Sequence, residues 1–328
     1  MSDVRTNSLR AWVLAARPKT LTGAVIPVLL AGALAFRVGA FRQTDMLDGA
    51  QSFSTPSVHL ALWICCLLFA CIMQIAANLI NDLFDYQRGS DRSDRLGPER
   101  ACAQGWISPR AMKAGIAVSV ILASVVGLTA VIISGKYMPF RGCEYIALGV
   151  ICILFAFLYT TRFSYLGWGD ALVVVFFGFV PVCGTYYMQT LSITPLSILL
   201  SLISGIAIDA LLVINNYRDR NEDRISGKRT VVVRFGERFG LRFYLVIGIV
   251  VTLLSAVVWV MLKTGSTARE QSPSVYLATW FVYPLLHFLT WRRMRRIHEG
   301  RALNAILGET SRNMFIMALV MSAVIMID

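Results

Sequence analysis

Two short stretches of the chain concentrate carboxamides and carboxylates at the edge of apolar runs. At 100° per residue, Asn78, Asn81, Asp82 and Asp85 share one side of a helix end and can converge on one point. Asn215, Asn216, Asp219 and Asp223 repeat the arrangement, with the two aspartates at i, i+4 and about 6 Å apart along the axis. Like charges at that spacing repel, so a cation is expected between them. Ligands made only of oxygen suit a hard ion, and Mg2+ takes one or two carboxylates and completes its shell with water and substrate phosphate. Two such clusters facing each other would hold a diphosphate through metal ions. Solvated loops balancing their charge are the plainer reading. Asp is, however, a poor helix former and gains nothing from the negative end of a helix, so loop chemistry accounts poorly for both clusters together.

Basic residues flank both stretches. Arg88, Arg92, Arg95 and Arg100 follow the first, and Arg218, Arg220, Arg224, Lys228 and Arg229 surround the second, so a multiply charged leaving group would meet both metal and guanidinium. The elements that position these groups are apolar. Of 328 residues, 56% are hydrophobic and 15% charged, against about 25% charged in a soluble domain, which excludes a water-soluble globule. Mean hydropathy is +0.64. Charge-free runs predict an all-α polytopic membrane protein of about nine spans, at 21–36, 58–80, 114–133, 145–159, 171–188, 198–214, 243–262, 275–290 and 314–327. The chain reads as one domain, 1–328. The acidic stretches lie four spans apart, which hints at a duplicated four-helix unit.

Alternate connections place 25 of the 31 Lys and Arg on one side, which the positive-inside rule makes cytoplasmic. The N-terminus is then inside, the C-terminal Asp328 outside, and the protein sits in the cell (cytoplasmic) membrane. A net charge of +12 does not imply nucleic acid, because the arginines are scattered between spans; membrane lipid and phosphate-bearing substrates are the expected partners. The seven Cys form no CxxC, and the sequence gives no support for a zinc site or disulfide framework.

Over nearly its whole length the chain resembles the UbiA superfamily of intramembrane prenyltransferases. The resemblance rests on ARPKTLTGAVIPVLLAGALAF (16–36), QIAANLINDLFDYQRGSD (74–91), RLGPER (95–100), ISPR (107–110), FFGFVPVCGTYYMQT (176–190) and NNYRDRNEDRISGKRTVVVRFG (215–236). Within the superfamily these are similar to the 1,4-dihydroxy-2-naphthoate polyprenyltransferase branch of menaquinone synthesis. The resemblance implies nine helices around a central cavity, capped on the cytoplasmic side by the two Asp-rich loops. It also implies Mg2+-dependent transfer of a polyprenyl group from its diphosphate to an aromatic acid. By position, Asn81, Asp85 and Asp91 match the first metal motif, with Asp82 beside them, and Asp219 and Asp223 match the second, preceded by Asn215 and Asn216. Asn78, Arg88, Arg95, Lys228 and Arg229 are expected at the diphosphate. Where relatives carry a Tyr, a Gly-Gly and sometimes a Lys after the fourth span, this chain reads YTTRFSYLGWGD (159–170), so the matching cation is Arg162 or is absent. Tyr159 stands at the motif's tyrosine.

The chemistry expected is ionisation of an allylic diphosphate followed by attack of an electron-rich ring on C1, with carbon dioxide leaving when the ring carries a carboxyl there. An apolar cavity would exclude water, with Phe84, Tyr159, Phe176, Phe177, Tyr186 and Tyr187 as candidate aromatic walls. Asp209, well inside the sixth span, lies on the same helix side as Asn216 and Asp223 and is a candidate for contact with the acceptor or a cavity cation, or is simply protonated or paired. Lys19 at the mouth of the first span reaches the diphosphate or acceptor, or snorkels to the membrane edge. His287 reads as a hydrogen-bonded interior residue. Competing readings are transfer to 4-hydroxybenzoate, homogentisate or a lipid phosphate acceptor, and a transporter, although transport sites are expected near the bilayer midplane on broken helices.

Overall fold

Hydroxyl caps and first-turn prolines mark where the helices begin. Ser8 and Ser108 accept the N–H of the third residue beyond them, Thr194 and Ser197 form a reciprocal capping box, and Pro56, Pro109 and Pro195 each occupy a first turn. The computed structural model describes residues 4–41, 55–89, 95–265 and 273–327, with the side chains of 264–265 and 273–279 outside the description. Asp91, Arg92 and Asp328 therefore lie outside the described residues.

The helices are α1 (Leu9–Ala16), α2 (Thr22–Arg37), α3 (Pro56–Gln87), α4 (Pro109–Ser134), α5 (Cys143–Leu166), α6 (Gly169–Thr190), α7 (Pro195–Arg218), α8 (Arg220–Ile225), α9 (Val231–Phe235), α10 (Glu237–Gly265), α11 (Pro273–Ile297) and α12 (Leu303–Ile327). Helices cover all nine expected spans. By length and apolar composition seven of them qualify as membrane crossings among the described residues, or eight if α1 and α2, bent by 50°, count as one. Helix α11 is long enough, but Trp280, Tyr283, Pro284 and His287 dilute its apolar run, so a count of nine crossings is not established.

Helix α7 is the axle. It packs against α2, α6, α10 and α12, while α12 closes back onto α2 and α11. Helices α3, α4 and α5 form the remaining wall, with α3 also reaching α2 and α6. Outward faces carry Val118, Ile121, Leu122, Val125 and Ile132, an apolar stripe that suits lipid and not water. Small residues let α6 and α7 touch through their backbones: a Cβ on Gly205 would lie 2.7 Å from Val174 Cα.

Two wide π-turns interrupt the regular spans, at Tyr159–Phe163 in α5 and Val175–Phe179 in α6. Such turns rotate the residues beyond them relative to 3.6-residue arithmetic. The Ser204 hydroxyl donates to the Phe177 carbonyl at 2.8 Å, satisfying a group loosened by the second turn. His287, as expected, is a satisfied interior residue, in contact with the Tyr244 carbonyl at 2.8 Å and stacked on its ring.

Candidate active site

The elbow between α1 and α2 turns at Arg17, which adopts a left-handed conformation (φ 53°), unusual for a residue with a Cβ. Asn78 of α3 holds this elbow. Its amide donates to the Ala16 carbonyl at 2.8 Å and to the Thr20 hydroxyl at 2.9 Å, and its carbonyl accepts from Gln74. Beyond the elbow lies a chamber of about 1420 Å³ whose wall is drawn from α1, α3, α5 to α8, α12 and the 95–100 loop.

Both acidic stretches reach this chamber. Asn81 and Asp85 line it from α3, and Asn215, Asn216, Asp219 and Asp223 line it from the end of α7 and from α8. Asn81 accepts the Thr160 hydroxyl. Three of the four chamber aspartates face a cation: Asp85 pairs with Arg100 at 2.8 Å, Asp223 with Lys228 at 3.3 Å, and Asp219 takes a bidentate grip from Arg218, both bonds 2.6 Å. Asp219 and Asp223 each have their own basic partner. Burial pushes the Asp223 carboxyl up to about 6, against the pull of Lys228 and with the push of Asp219. Burial pulls the Lys228 ammonium down, but Asp223 and then Asp85 hold it net above the ordinary lysine value. One ammonium thus feels a carboxylate from each stretch, which places both at one site.

The 95–100 loop lies across this site. Leu96 N–H donates to Glu222, its carbonyl accepts from Asn304 of α12, and Asn304 in turn accepts from Arg218 at 2.8 Å. Gly97 has no room for a side chain, since a Cβ would sit 2.8 Å from Arg218 Nη2. Asp82 anchors the next part of the loop. It is 1% exposed and accepts the backbone N–H of Ala101 at 2.8 Å and of Cys102 at 3.0 Å.

These contacts correct parts of the sequence reading. Asp82, expected beside the metal motif, lines neither this chamber nor the apolar one next to it and is a strut for the loop, because its side of α3 meets the loop. Asn78, expected at the diphosphate, spends its amide on the elbow and borders a second, apolar chamber. Arg162 and Arg229 are exposed and outside the wall; Arg229 contributes only a main-chain bond to Tyr165. Asp209 is buried (4% exposed) behind the wall and lines neither chamber. Lys19, Arg88, Arg95, Lys228 and Tyr159 do line the polar chamber. Arg88 donates to the Thr160 and Thr161 carbonyls at 3.0 and 2.7 Å and sits over the Tyr165 ring. Arg17, Asp170 and Arg312 are wall residues that sequence reasoning did not single out. Arg17 was legible only as one more N-terminal charge, and Asp170 as the last residue of GWGD.

The second chamber, about 590 Å³, is apolar and adjoins the first, sharing Arg17, Thr20, Asn81, Tyr159, Thr160, Leu211, Leu212 and Asn215. Phe69, Phe155, Phe176, Phe177 and Met188 are among its walls. Of the aromatic candidates, Tyr159, Phe176 and Phe177 reach a cavity. Phe84 packs edge-on against Phe157, Tyr186 is core, and Tyr187 stacks on Tyr145.

The oxygen donors of Asn81, Asp85, Asp219 and Asp223 suit a hard divalent ion. Among the described residues no three His, Cys, Asp or Glu side chains gather into a closed metal cage. The set fits an ion that completes its shell from a substrate's phosphate oxygens.

Residues 46–319 match the UbiA prenyltransferase family. The chain is 35% identical over 248 residues, 74% of each chain, to 1,4-dihydroxy-2-naphthoate octaprenyltransferase of Escherichia coli (strain K12). It is 29% identical over 322 residues, 95% of each chain, to the protein of that name in Mycobacterium leprae (strain TN). The structure of a UbiA homolog from Archaeoglobus fulgidus bound to GPP and Mg2+ has the same fold, with a TM-score of 0.60 at 15% identity over 97% of this chain and 100% of that one. By sequence and by fold, the chain belongs to the UbiA prenyltransferase family.

Proposed function

We propose that the protein transfers a polyprenyl group from polyprenyl diphosphate to 1,4-dihydroxy-2-naphthoate, releasing diphosphate and carbon dioxide and giving demethylmenaquinol. One observation carries this reading: the polar chamber that gathers both acidic stretches shares a wall with an apolar chamber, so a molecule with an anionic head and a hydrocarbon tail fits across the two. The names of the relatives supply the acceptor.

In this reading Asn81, Asp85, Asp219 and Asp223 would hold Mg2+, with Asp91 of the same motif outside the described residues. Bound there, Mg2+ would neutralise charge developing on the leaving diphosphate. The protein's own cations do the rest of the holding. Arg88, Arg95, Arg100, Arg218 and Lys228 face the same volume, and guanidinium forks match phosphate oxygens. Lys19, Asn215 and Asn216 complete the wall around the head group. The tail lies among Phe69, Phe176, Phe177 and Met188, where water is excluded and aromatic faces stabilise positive charge at C1. The chamber mouth lies on the arginine-rich side, the cytoplasmic face, with the N-terminus inside and the C-terminus outside.

The test is purified protein in detergent with radiolabelled polyprenyl diphosphate, Mg2+ and each candidate aromatic acid. Prenylated, decarboxylated product with 1,4-dihydroxy-2-naphthoate is the expected outcome. Product with 4-hydroxybenzoate alone would overturn the acceptor, and no product with any acceptor would overturn the reaction.

A further inference from the structure

Two carboxylates at and behind the chamber wall stand apart from the aspartates that pair with Arg or Lys. Asp170 opens α6 and lines the polar chamber, and Asp209 stands behind it on α7, against which the start of α6 packs. The charge of Asp170 acts on Asp209, and both act on the Tyr159 hydroxyl. Tyr159 itself lies at the boundary of the two chambers, and residue 169 is glycine where a Cβ would stand 3.5 Å from the Tyr159 oxygen and 3.1 Å from Leu212.

Both aspartates keep a buried Oδ1 with no hydrogen-bond partner. Buried polar atoms that serve structure are nearly always satisfied, and an intramembrane carboxylate without a donor is costly. Among the described residues no side chain donates to either oxygen, so each is open to a proton brought from outside the protein. The place where it would arrive is informative. With its head in the polar chamber and tail in the apolar one, a prenyl diphosphate has C1 at their shared wall, beside Tyr159 and Leu212. The ring that attacks C1 must come to the same place.

We propose that Asp170 accepts the hydroxyl proton of the aromatic acceptor as the new carbon–carbon bond forms, with Asp209 as the positioning residue that shares that proton. The inference rests on the prenyl-transfer reading above. In the step, the acceptor O–H bond breaks and its proton passes to Asp170. The freed electron pair pushes through the ring to form the bond to C1, and the C1–O bond breaks with its pair going to diphosphate. Loss of carbon dioxide from the substituted carbon returns electrons to the ring oxygen, which takes the proton back. The sum is prenyl diphosphate plus hydroxynaphthoate giving prenylated hydroquinone, carbon dioxide and diphosphate, with no other reactant.

The experiment uses the full chain in nanodiscs with Mg2+, farnesyl diphosphate carrying oxygen-18 at the bridging position, and hydroxynaphthoates of graded hydroxyl acidity. Asp170→Asn is expected to slow product formation about 100-fold, the scale of lost general-base catalysis, with the deficit shrinking as the acceptor hydroxyl becomes more acidic. Movement of the label to non-bridging oxygens should continue, which shows a folded protein still ionising its donor. Asp209→Asn should lose less turnover and shift the pH profile. Product formation by Asp170→Asn within about threefold of the parent, or a deficit independent of acceptor acidity, would overturn the proposal. So would loss of label movement in both Asp170→Asn and Asp170→Glu, which would move the residue to the diphosphate side. Absence of both product and label movement in the unmodified protein would instead sink the prenyl-transfer reading itself.

Discussion

Asp82 separates a structural reading of the first acidic stretch from a catalytic one. Its carboxylate accepts two backbone N–H bonds, from Ala101 and Cys102, at 2.8 and 3.0 Å in a site with 1% exposure. Hydrogen bonds to a charged group contribute about 1.5–3 kcal/mol each, so Asp82→Ala is expected to cost about 3–6 kcal/mol. Asp82→Asn keeps one acceptor oxygen and turns an N–H toward the other donor, so at least one bond is lost, about 1.5–3 kcal/mol. The destabilisation is local in origin, because the bonds tether the segment that leads back to Arg95 and Arg100.

The assay pairs thermal unfolding in detergent with limited proteolysis of the 95–106 segment and Mg2+ titration of turnover. The expected pattern is a lower Tm and faster cleavage in that segment, ordered Ala worse than Asn, with the Mg2+ concentration for half-maximal rate little changed in the protein that stays folded. A variant with unchanged Tm and cleavage but a much greater Mg2+ requirement would refute the strut and restore Asp82 to the metal site.

Asp85→Asn and Asp219→Asn should show the opposite pattern, losing turnover by three orders of magnitude or more while extracting and unfolding like the parent; near-normal turnover in either would remove it from the site. Since Asp223 binds its proton near pH 6 and a metal requires the carboxylate, the apparent Mg2+ requirement should rise about tenfold from pH 7 to pH 5, and the slope should flatten in Asp223→Asn. The sign follows from the raised value: charge on Asp223 is present above about pH 6 and lost below it. Gly205→Ala should force α6 and α7 apart, since the new methyl meets the Val174 backbone at 2.7 Å, and cost about 1–3 kcal/mol in thermal unfolding together with activity. Asn78→Ala should free the Arg17 elbow and raise the KM for prenyl diphosphate more than it lowers kcat, because no chamber carboxylate is touched.

Helix periodicity was enough to bring Asn81, Asp85 and Asp219 to one chamber, because α3 and α7 are regular up to their chamber ends; Asp223 joins them from α8, beyond the break at Asp219. It failed where the neighbour decides. Asp82 and Asn78 lie on the expected side of α3, but one meets a loop and the other an elbow, and neither partner is written in local spacing. Arg162, suggested by the family resemblance and not by spacing, is exposed on the π-turn at Tyr159–Phe163. The cations beside Tyr165 are Arg88, at the end of α3, and Lys228, delivered by the turn after α8. Composition likewise overcounted: α11 has the length of a span, but its aromatic and polar residues lower its apolar character.

The pairing of three chamber aspartates with an Arg or Lys bears on how the site is kept ready. Buried carboxylates are costly alone, and Arg100, Arg218 and Lys228 supply the neutralising charge. Arrival of a metal-bound diphosphate offers each carboxylate a divalent partner and each guanidinium or ammonium a phosphate oxygen, so both members of a pair exchange one opposite charge for another and neither is left buried and alone. Arg218 shows how such an exchange stays ordered. Its third nitrogen is fixed on Asn304, which also binds Leu96 of the overlying loop, so the guanidinium can release Asp219 without losing its place. By that argument Asn304, which carries no charge and sits on the last helix, belongs to the holding of the diphosphate as much as the residues that touch it.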